Sequence, residues 1–267
     1  QQKAFDIVID GKNIFITGPG GTGKTKLILY IVYYLRTEFN YKKDEIAITS
    51  TTGTSALLIS GTTIHSFAGI GFGTESVEKL IDKIKSNFFL KRKWFSVRVL
   101  IIDEISMLSP DIFDKLNKIA QAVRGNKKSF GGIQIILSGD FCQLPVVKST
   151  RFCFQAESWN ICVHETICLE EILRQEDDEF QDCLNEIRLG ECSESTEELL
   201  TSRLNVKLNK NGIEPTKLYS KNDIVNRVNN EKLQKLISSG KKKITYNSNI
   251  IHNKIPEREL EYLKKKI

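Results

Sequence analysis

The chain has 267 residues, 40% of them hydrophobic and 27% charged, which is the balance of a globular protein with one large or two small domains. The net charge of +6 and pI near 8.9 suit a polyanionic partner without requiring one. The longest apolar run, residues 27–35, is too short to span a bilayer and indicates a buried helix, so we expect no membrane association. The start shows no secretory pattern, and because it is Gln1 rather than Met, we expect a fragment of a longer reading frame.

Cysteines and histidines give no metal signature. No Cys-x-x-Cys pair is present, and the histidines are too scattered to suggest a cluster. In a chain of this length we expect reduced thiols in an intracellular protein. These residues are Cys142, Cys153, Cys162, Cys168, Cys183 and Cys192, with His65, His164 and His252.

Apolar strand patterns alternate with helical patterns in the first two-thirds of the chain. Continuous apolar strands separated by helices predict an α/β fold with a parallel sheet covered by helices on both faces. The carboxyl ends of such strands meet at one edge of the sheet, where ligands bind. The strands are predicted at 13–18, 45–50, 97–104 and 132–140, and a helix at 24–39.

Residues 109–125 predict a well-delimited helix. Ser109 is suited to cap it, Pro110 to its first turn and Gly125 to its end. After about residue 170 the pattern changes to two amphipathic helices, 177–191 and 222–237, with polar loops between them. Lysine runs follow at 241–243 and 264–266, which favour either a solvated surface or electrostatic affinity for a polyanion.

The stretch "GPGGTGKT", residues 18–25, fits the phosphate-binding pattern G-x-x-x-x-G-K-[ST] directly after a predicted strand and at the start of a helix. Its glycines let backbone N–H groups converge on phosphate oxygens, aided by the positive helix N-terminus. Lys24 is expected to bridge the β- and γ-phosphates and Thr25 to ligate Mg²⁺. The alternative is a chance glycine-rich turn. The predicted ATP contacts in this stretch are Gly18, Pro19, Gly20, Gly21, Thr22, Gly23, Lys24 and Thr25.

The stretch "LIIDE" delivers Asp103 and Glu104 to the same sheet edge. Asp103 is expected to hold Mg²⁺ through water, and Glu104 to orient and deprotonate the attacking water. The alternative is an acidic pair that only ends a strand. With the phosphate-binding loop, the pair predicts nucleoside-triphosphate hydrolysis with ATP and Mg²⁺.

A third polar strand end occurs in "ILSGDFCQLP", residues 136–145. If this strand lies beside the "VLII" strand, its end faces the γ-phosphate. Gln143 is then placed to hydrogen-bond that phosphate or the lytic water, and Asp140 to hold Gln143 or the water shell of the metal. The alternative is an ordinary polar turn.

Together these motifs resemble the PIF (petite integration frequency) DNA helicases of superfamily 1, over nearly the whole chain up to about residue 240. The run at 101–124 followed by "SFGGIQIILSGDFCQLP" resembles the signature segment of this family. The stretches 49–56 and 61–71 resemble its two DNA-contact motifs, and 169–190 and 217–233 also look like family segments.

The resemblance implies two RecA-like lobes with ATP between them and ATP-driven 5′→3′ movement on single-stranded DNA. By position, Gln1 would read adenine, Gln143 would sense the γ-phosphate, and Arg174 would be an arginine finger. A surface ion pair of Arg174 with Glu170 or Glu171 is the alternative. On this basis residues 1–168 are predicted to form the first lobe and residues 169–267 an incomplete second lobe, because two later family motifs are not found.

The resemblance also implies single-stranded, forked and G-quadruplex DNA as partners, and we expect a monomer. It places the protein in the nucleus or mitochondrion of a eukaryote, or in the host cytoplasm or nucleus if it is viral. Hydroxyl and backbone groups would contact DNA phosphates, while His65 and Phe67 would contact bases or pack a short helix. The predicted DNA-binding residues are Thr49, Thr51, Thr52, Thr63, His65, Ser66 and Phe67.

Two other functions stay open on the sequence alone. One is a P-loop ATPase or nucleotide switch that is not a helicase. The other is a truncated ATPase that binds nucleotide and DNA without unwinding.

Overall fold

The computed structural model describes residues 1–147, 149–206 and 216–246. The chain divides into two compact units, Gln1–Leu204 and Asn205–Ile267. The first unit contains the sheet and the sites predicted above. In the second, the described residues form one helix, α11 (Asn222–Ser238).

A six-stranded sheet forms the centre of the first unit, and all its strand pairs are parallel. The order is β3-β2-β4-β5-β1-β6. β5 pairs with β4, with Leu100 opposite Ile135, as predicted for the strand that ends in the Asp140 turn. The strands are β1 (Ile14–Thr17), β2 (Ile46–Ser50), β3 (Thr62–Thr63), β4 (Val99–Asp103), β5 (Gln134–Ser138) and β6 (Glu165–Cys168).

The two edge strands were not predicted. β3 has only two residues, and β6 is mostly exposed, so neither carries the continuous apolar run that marks a central strand. The four central strands have that run and were found at the predicted places.

Helices cover both faces of the sheet. Those of the first unit are α1 (Gln2–Ile9), α2 (Lys24–Thr37), α3 (Gly53–Leu58), α4 (Ile64–Ala68), α5 (Val77–Ser86), α6 (Phe88–Ser96), α7 (Pro110–Arg124), α8 (Trp159–Cys162), α9 (Asp178–Leu189) and α10 (Glu194–Ser202). Short 3₁₀ turns lie at Ile105–Met107, Ser129–Gly132 and Cys153–Gln155.

The sheet divides the core into two layers because successive strand side chains point to opposite faces. Ile14 and Ile16 of β1 pack in the layer that contains α1 and α2, while Phe15 packs in the layer that contains α7. Both layers are closed by buried apolar side chains, and the fully buried aromatic rings of Trp94, Phe113 and Phe130 lie in the layer that contains α7. The central strands are therefore covered on both sides, as their sequences predict.

α7 begins and ends where its punctuation predicts. The Ser109 hydroxyl accepts a hydrogen bond from the Ile112 amide at 3.3 Å, and Gly125 ends the helix with φ 64°. The signature segment then folds back on this helix. The Asn117 side chain accepts from the Phe130 amide at 2.7 Å, and a Cβ on Gly131 would lie 2.6 Å from the Ala120 carbonyl oxygen. The residues that resemble the family signature therefore help to build the core.

The region after residue 170 contains one helix more than predicted. α9 and α11 confirm the two amphipathic helices, but α10 occupies a stretch predicted to be a polar loop. Ser193 caps α10 by accepting from the Thr196 amide, and Glu194 and Glu197 lie in its first turn. These start signals were present in the sequence, but the helix was missed because its apolar pattern is weak. Lysines 241–243 are exposed and outside helices and strands, and 264–266 lie outside the described residues.

Candidate nucleotide site and nucleic-acid interface

The phosphate-binding loop, residues 18–25, joins β1 to α2 at the carboxyl edge of the sheet and includes Lys24 and Thr25, the first two residues of α2. Two of its glycines are required by close contacts with the segment that follows β6. Gly18 has φ 135°, and a Cβ there would overlap the carbonyl oxygen of Leu169. Gly21 has φ 92°, and a Cβ there would lie 2.9 Å from the Cβ of Arg174. Residues 169–175 therefore lie directly on the phosphate-binding loop.

Lys24 is held inside this loop. Its Nζ donates to the carbonyl oxygens of Gly18 at 2.7 Å and Pro19 at 2.8 Å. Burial lowers the pKa of Lys24, and the nearby carboxylates of Asp140, Glu104 and Asp103 oppose this shift. A phosphate bound here would replace loop carbonyls as the partner of the ammonium group, which is the role predicted for Lys24.

A cleft of about 330 Å³ joins the three predicted strand ends. It brings together residues from the β1–α2 loop, the end of β4, the end of β5 and the segment that carries Arg174. The cleft is lined by Gly20, Gly21, Gly23, Lys24, Thr25, Lys26, Glu104, Asp140, Gln143, Leu173 and Arg174. These residues are far apart in sequence, and the parallel sheet brings them to one edge.

The acidic pair at the end of β4 has an unusual environment. Burial raises the pKa of Asp103. The pKa of Glu104 is also raised, mainly by burial and to a smaller extent by the negative charge of Asp103. Glu104 adopts φ 55° and ψ 44°, a left-handed conformation that is uncommon for a residue other than glycine. Thr51 supports this turn, because its hydroxyl donates to the Glu104 carbonyl at 3.0 Å and its amide to the Asp103 carbonyl at 3.3 Å.

The chemistry of these side chains fits Mg²⁺ that is brought with a nucleotide. The hydroxyl of Thr25 and the carboxylate of Asp103 are the hard oxygen ligands that Mg²⁺ prefers. Over residues 1–147, 149–206 and 216–246, no group of three or more His, Cys, Asp or Glu side chains could hold a metal ion. At a nucleotide site, Mg²⁺ is usually held by few protein ligands, and phosphate oxygens and water complete its coordination shell.

Asp140 and Gln143 meet at the end of β5, as predicted. Gln143 Nε2 donates to Asp140 Oδ2 at 3.1 Å, and the Cys142 amide donates to Asp140 Oδ1 at 3.1 Å. Arg188 of α9 completes this group with two further bonds to Asp140. Burial alone would raise the pKa of Asp140, but the hydrogen bonds from Arg188, Cys142 and Gln143 outweigh it and lower that pKa.

Gln1 and Arg174 both lie at the phosphate-binding loop. Gln1 Nε2 donates to the Thr22 carbonyl at 3.1 Å. Arg174 is exposed in the cleft wall, and the neighbouring Leu173 amide donates to the Gly21 carbonyl at 2.9 Å. Within the described ranges, Arg174 forms no ion pair with Glu170 or Glu171. It belongs to the same compact unit as the loop.

The first predicted DNA-contact motif lies after β2 and is mostly engaged within the fold. Thr49 is fully buried, and its hydroxyl donates to the Ile101 carbonyl at 2.6 Å, so this placement does not offer it to a DNA phosphate. Thr51 supports Glu104, as described above. Thr52 caps α3 by accepting from the Ser55 amide at 3.2 Å. Thr51 and Thr52 are half-buried, so both retain some access to solvent.

The second predicted motif surrounds α4. Thr63 caps this helix by accepting from the Ser66 amide at 3.3 Å, and Ser66 is exposed. Burial lowers the pKa of His65. Phe67 is 5% exposed and packs against Trp94 with a ring-centroid distance of 5.3 Å. For Phe67 the structure supports core packing of the short helix, which was the alternative to a base contact.

A model of PIF1-like helicases matches residues 1–198. The chain belongs to the PIF1-like helicase family. It is 47% identical over 195 residues to ATP-dependent DNA helicase PIF1 of Emericella nidulans, covering 71% of this chain and 26% of that protein. It is 44% identical over 263 residues to uncharacterized protein 030L of Invertebrate iridescent virus 6, covering 93% of this chain and 49% of that protein.

Solved structures of PIF1-like helicases share the fold. The crystal structure of Pif1 helicase from Candida albicans has 37% sequence identity and a TM-score of 0.84, covering 98% of this chain and 59% of that one. A Bacteroides Pif1 helicase in complex with ADP-AlF3 and ssDNA has 28% identity and a TM-score of 0.77, covering 96% and 60%. The RecA-like fold is therefore confirmed. The chain spans about half or less of the curated relatives described above.

Within this PIF1-like chain, two polar residues at the site were missed from the sequence. Arg188 lies in the last turn of α9, a position that gives no sign of its contact with Asp140, 48 residues earlier. Gln175 follows Arg174, and its Oε1 would lie 3.1 Å from a Cβ on Gly21. The one signal in the sequence was that Arg188 stands just before Gly190, a residue type that ends helices. This places Arg188 on a helix but does not predict its partner. In the described part of the chain no helix is long and apolar enough to cross a membrane.

Proposed function

We propose that this chain is the ATP-binding part of an ATP-dependent 5′→3′ DNA helicase of the PIF1 type. The observation that carries the proposal is the shared cleft in which Lys24, Glu104 and Gln143 meet from the ends of β1, β4 and β5. A phosphate-binding ammonium, a carboxylate with a raised pKa and an amide at one sheet edge are the groups that phosphoryl transfer to water requires.

In this proposal each residue has a defined task. Backbone N–H groups of residues 18–25 and Lys24 hold the phosphates, and Thr25 and Asp103 hold Mg²⁺, which supplies charge neutralisation when bound. Glu104 accepts the proton of the attacking water. Gln143 reports the γ-phosphate, Arg174 stabilises charge on it in the transition state, and Gln1 reads the adenine.

The DNA partner is proposed from the family and from the exposed groups. A similar structure from a study of unwinding at forked dsDNA by two coordinating Pif1 helicases has 28% identity to this chain. The half-buried and exposed hydroxyls of Thr51, Thr52, Thr63 and Ser66 are the candidates for phosphate contacts. Single-stranded and forked DNA are the proposed substrates, with G-quadruplex DNA as a further one. The monomeric state and residues 169–267 as part of a second lobe stay predictions.

The proposed setting is replication, repair, recombination or telomere maintenance in an intracellular compartment that contains DNA. The six cysteines are all free thiols, which agrees with a reducing compartment. The nucleus, the mitochondrion and, for a virus, the host cytoplasm remain proposed locations.

The proposal is tested by phosphate release from ATP with and without single-stranded DNA. We expect DNA to stimulate turnover, and an ATPase that ignores DNA contradicts the helicase function while retaining the nucleotide site. Unwinding is measured on duplexes with a 5′ or a 3′ single-stranded tail, and only the 5′-tailed duplex is expected to open.

A truncated ATPase without unwinding is the second candidate, because the chain spans only 26–49% of the curated relatives described above. The same assays on this chain and on its full reading frame separate the two. Unwinding by the longer chain alone supports this second candidate for residues 1–267.

A further inference from the structure

Arg188 and Asp140 form a two-bond ion pair at the back of the nucleotide cleft. Arg188 Nε lies 2.8 Å from Asp140 Oδ2, and Arg188 Nη2 lies 2.8 Å from Asp140 Oδ1. The Asp140 side chain is 1% exposed and that of Arg188 is 23% exposed. A guanidinium that meets a carboxylate with two short parallel bonds fixes its orientation as well as its charge.

Asp140 is an unfavourable charge beside a triphosphate unless it is compensated. Of the charged groups that act on Lys24, Asp140 has the largest effect, and Arg188 acts on Lys24 in the opposite sense. Without Arg188, the carboxylate would repel a γ-phosphate and would compete with it for Lys24. Because Arg188 compensates the charge of Asp140, the buried carboxylate can remain in the cleft wall while little net negative charge faces the nucleotide.

Asp140 in turn determines how Gln143 is presented. Asp140 Oδ2 accepts one hydrogen of Gln143 Nε2, so the side-chain nitrogen of Gln143 faces Asp140. A Cβ on Gly20 would lie 3.8 Å from this nitrogen, which places Nε2 next to the phosphate-binding loop. Its second hydrogen is left for a γ-phosphate oxygen or a water molecule.

The same contact joins the cleft to the helix that follows Arg174. Arg188 lies in α9, which begins three residues after the Leu173–Gln175 segment that crosses the loop. Gln181 of α9 donates through Nε2 to the Gln175 carbonyl at 2.7 Å, so the helix contacts this segment at its other end. α9 is thereby attached both to the turn that carries Gln143 and to the segment that carries Arg174, the predicted arginine finger.

We propose that Arg188 is a positioning residue of the nucleotide site, which neutralises Asp140 and fixes it as the acceptor for Gln143. The proposal rests on the proposed function only in that the cleft binds ATP. It does not require turnover or DNA, and it assigns Arg188 no direct contact with the nucleotide.

The test is an equilibrium titration of the 267-residue chain with a non-hydrolysable ATP analogue and with ADP. Arg188→Gln is expected to bind the ATP analogue about tenfold more weakly, because a buried carboxylate is left uncompensated. ADP, which lacks the γ-phosphate, is expected to lose less. Asp140→Asn combined with Arg188→Gln removes both charges and is expected to recover most of the affinity.

The matched control is Arg151→Gln, because Arg151 also pairs with an aspartate, Asp111, but on the surface, with 51% and 72% of the two side chains exposed. It is expected to bind both nucleotides as the parent chain does. If Arg188→Gln is folded and behaves like this control, or if the double variant binds no better than Arg188→Gln, the proposal is wrong.

Thermal unfolding of each variant checks that it is folded at the assay temperature. If Arg188→Gln is not folded, Arg188→Lys keeps the positive charge but loses one of the two parallel bonds, and it is expected to bind the analogue about threefold more weakly than the parent chain. A folded Arg188→Lys that binds tenfold more weakly contradicts the charge compensation. A parent chain that binds the analogue but does not hydrolyse ATP contradicts the proposed function alone, whereas one that binds neither nucleotide contradicts both.

Discussion

The hydroxyl of Thr51 donates a hydrogen bond of 3.0 Å to the carbonyl oxygen of Glu104. This bond joins the turn after β2, which resembles a DNA-contact motif, to the proposed catalytic base after β4. Glu104 has a left-handed backbone conformation, so the position of its carboxylate depends on contacts that hold this turn. A DNA contact at this turn would therefore act directly on the proposed catalytic base.

Replacing Thr51 by valine is expected to slow ATP turnover about fivefold while leaving nucleotide affinity nearly unchanged. Valine keeps the shape of threonine but removes the donor to Glu104, at a cost of about 1 kcal/mol. Steady-state kcat and KM with and without single-stranded DNA measure the effect. Thr37→Val is the control, because the Thr37 hydroxyl is exposed and bonds to carbonyls of its own helix. Equal kinetics for the two variants would show that Thr51 does not position Glu104.

Lys24→Ala is expected to abolish hydrolysis, by about a thousandfold or more in kcat, because the γ-phosphate loses its counter-charge. Phosphate release under saturating ATP gives the measurement. Lys79→Ala changes a lysine in the first turn of α5, away from the cleft, and should retain full turnover. Near-normal hydrolysis by Lys24→Ala would remove the phosphate-binding assignment.

Gln143→Ala is expected to leave ATP binding largely intact and to weaken DNA-stimulated turnover by about tenfold. Because Asp140 bonds to both Arg188 and Gln143, we expect the two side chains to affect turnover together, so adding Arg188→Gln to Gln143→Ala should reduce kcat by less than the two single effects multiplied. The measurement is kcat for the four proteins of this cycle. Fully multiplicative effects would mean that the two side chains act independently, and a collapse of nucleotide affinity in Gln143→Ala would contradict the sensor role.

The acidic side of the pH–rate profile is expected to report Glu104. Its pKa is raised by burial and by the charge of Asp103, and a general base acts only when deprotonated. Turnover should therefore rise with pH through a midpoint above the ordinary glutamate value of about 4.3. Assays of samples returned to neutral pH check that the loss at low pH is reversible. Turnover that stays constant down to that ordinary value would contradict the role of Glu104.

The sequence predicted those parts of the site that depend on local patterns. Asp103 ends a buried strand and Lys24, Glu104 and Gln143 follow buried strands, and parallel strands necessarily bring their carboxyl ends to one edge. Arg188 could not be predicted in this way, because its partner is brought to it by packing of α9 on the first unit and no spacing in the sequence records that approach.

The same limit applies to Thr49 and Phe67. Their two motifs indicated DNA contacts, but burial decides what a side chain can reach. Thr49 hydrogen-bonds within the sheet, and Phe67 packs on Trp94. In the fold, the edge strands β3 and β6 were missed because an edge strand needs little of the apolar pattern from which central strands are predicted.

The Arg188–Asp140 pair also makes a prediction about stability and pH. The pKa of Asp140 is lowered in the folded chain. The ionised carboxylate of Asp140 therefore adds to the free energy of unfolding above the unfolded pKa of about 3.9, and this added stability is lost as pH falls through the lower folded pKa. Asp140→Asn should therefore reduce the free energy of unfolding at neutral pH by about 2 kcal/mol, less than for a fully buried pair because Arg188 is partly exposed to solvent.

Denaturant titrations of the parent chain and Asp140→Asn between neutral pH and pH ~3 measure this difference. The difference should shrink on the acidic side, where the parent carboxylate also becomes neutral. Asp111→Asn, which removes the exposed partner of Arg151, should change stability little at any pH in this range. A difference for Asp140→Asn that does not vary with pH would mean that its effect comes from lost packing or hydrogen-bond geometry rather than from the charge held by Arg188.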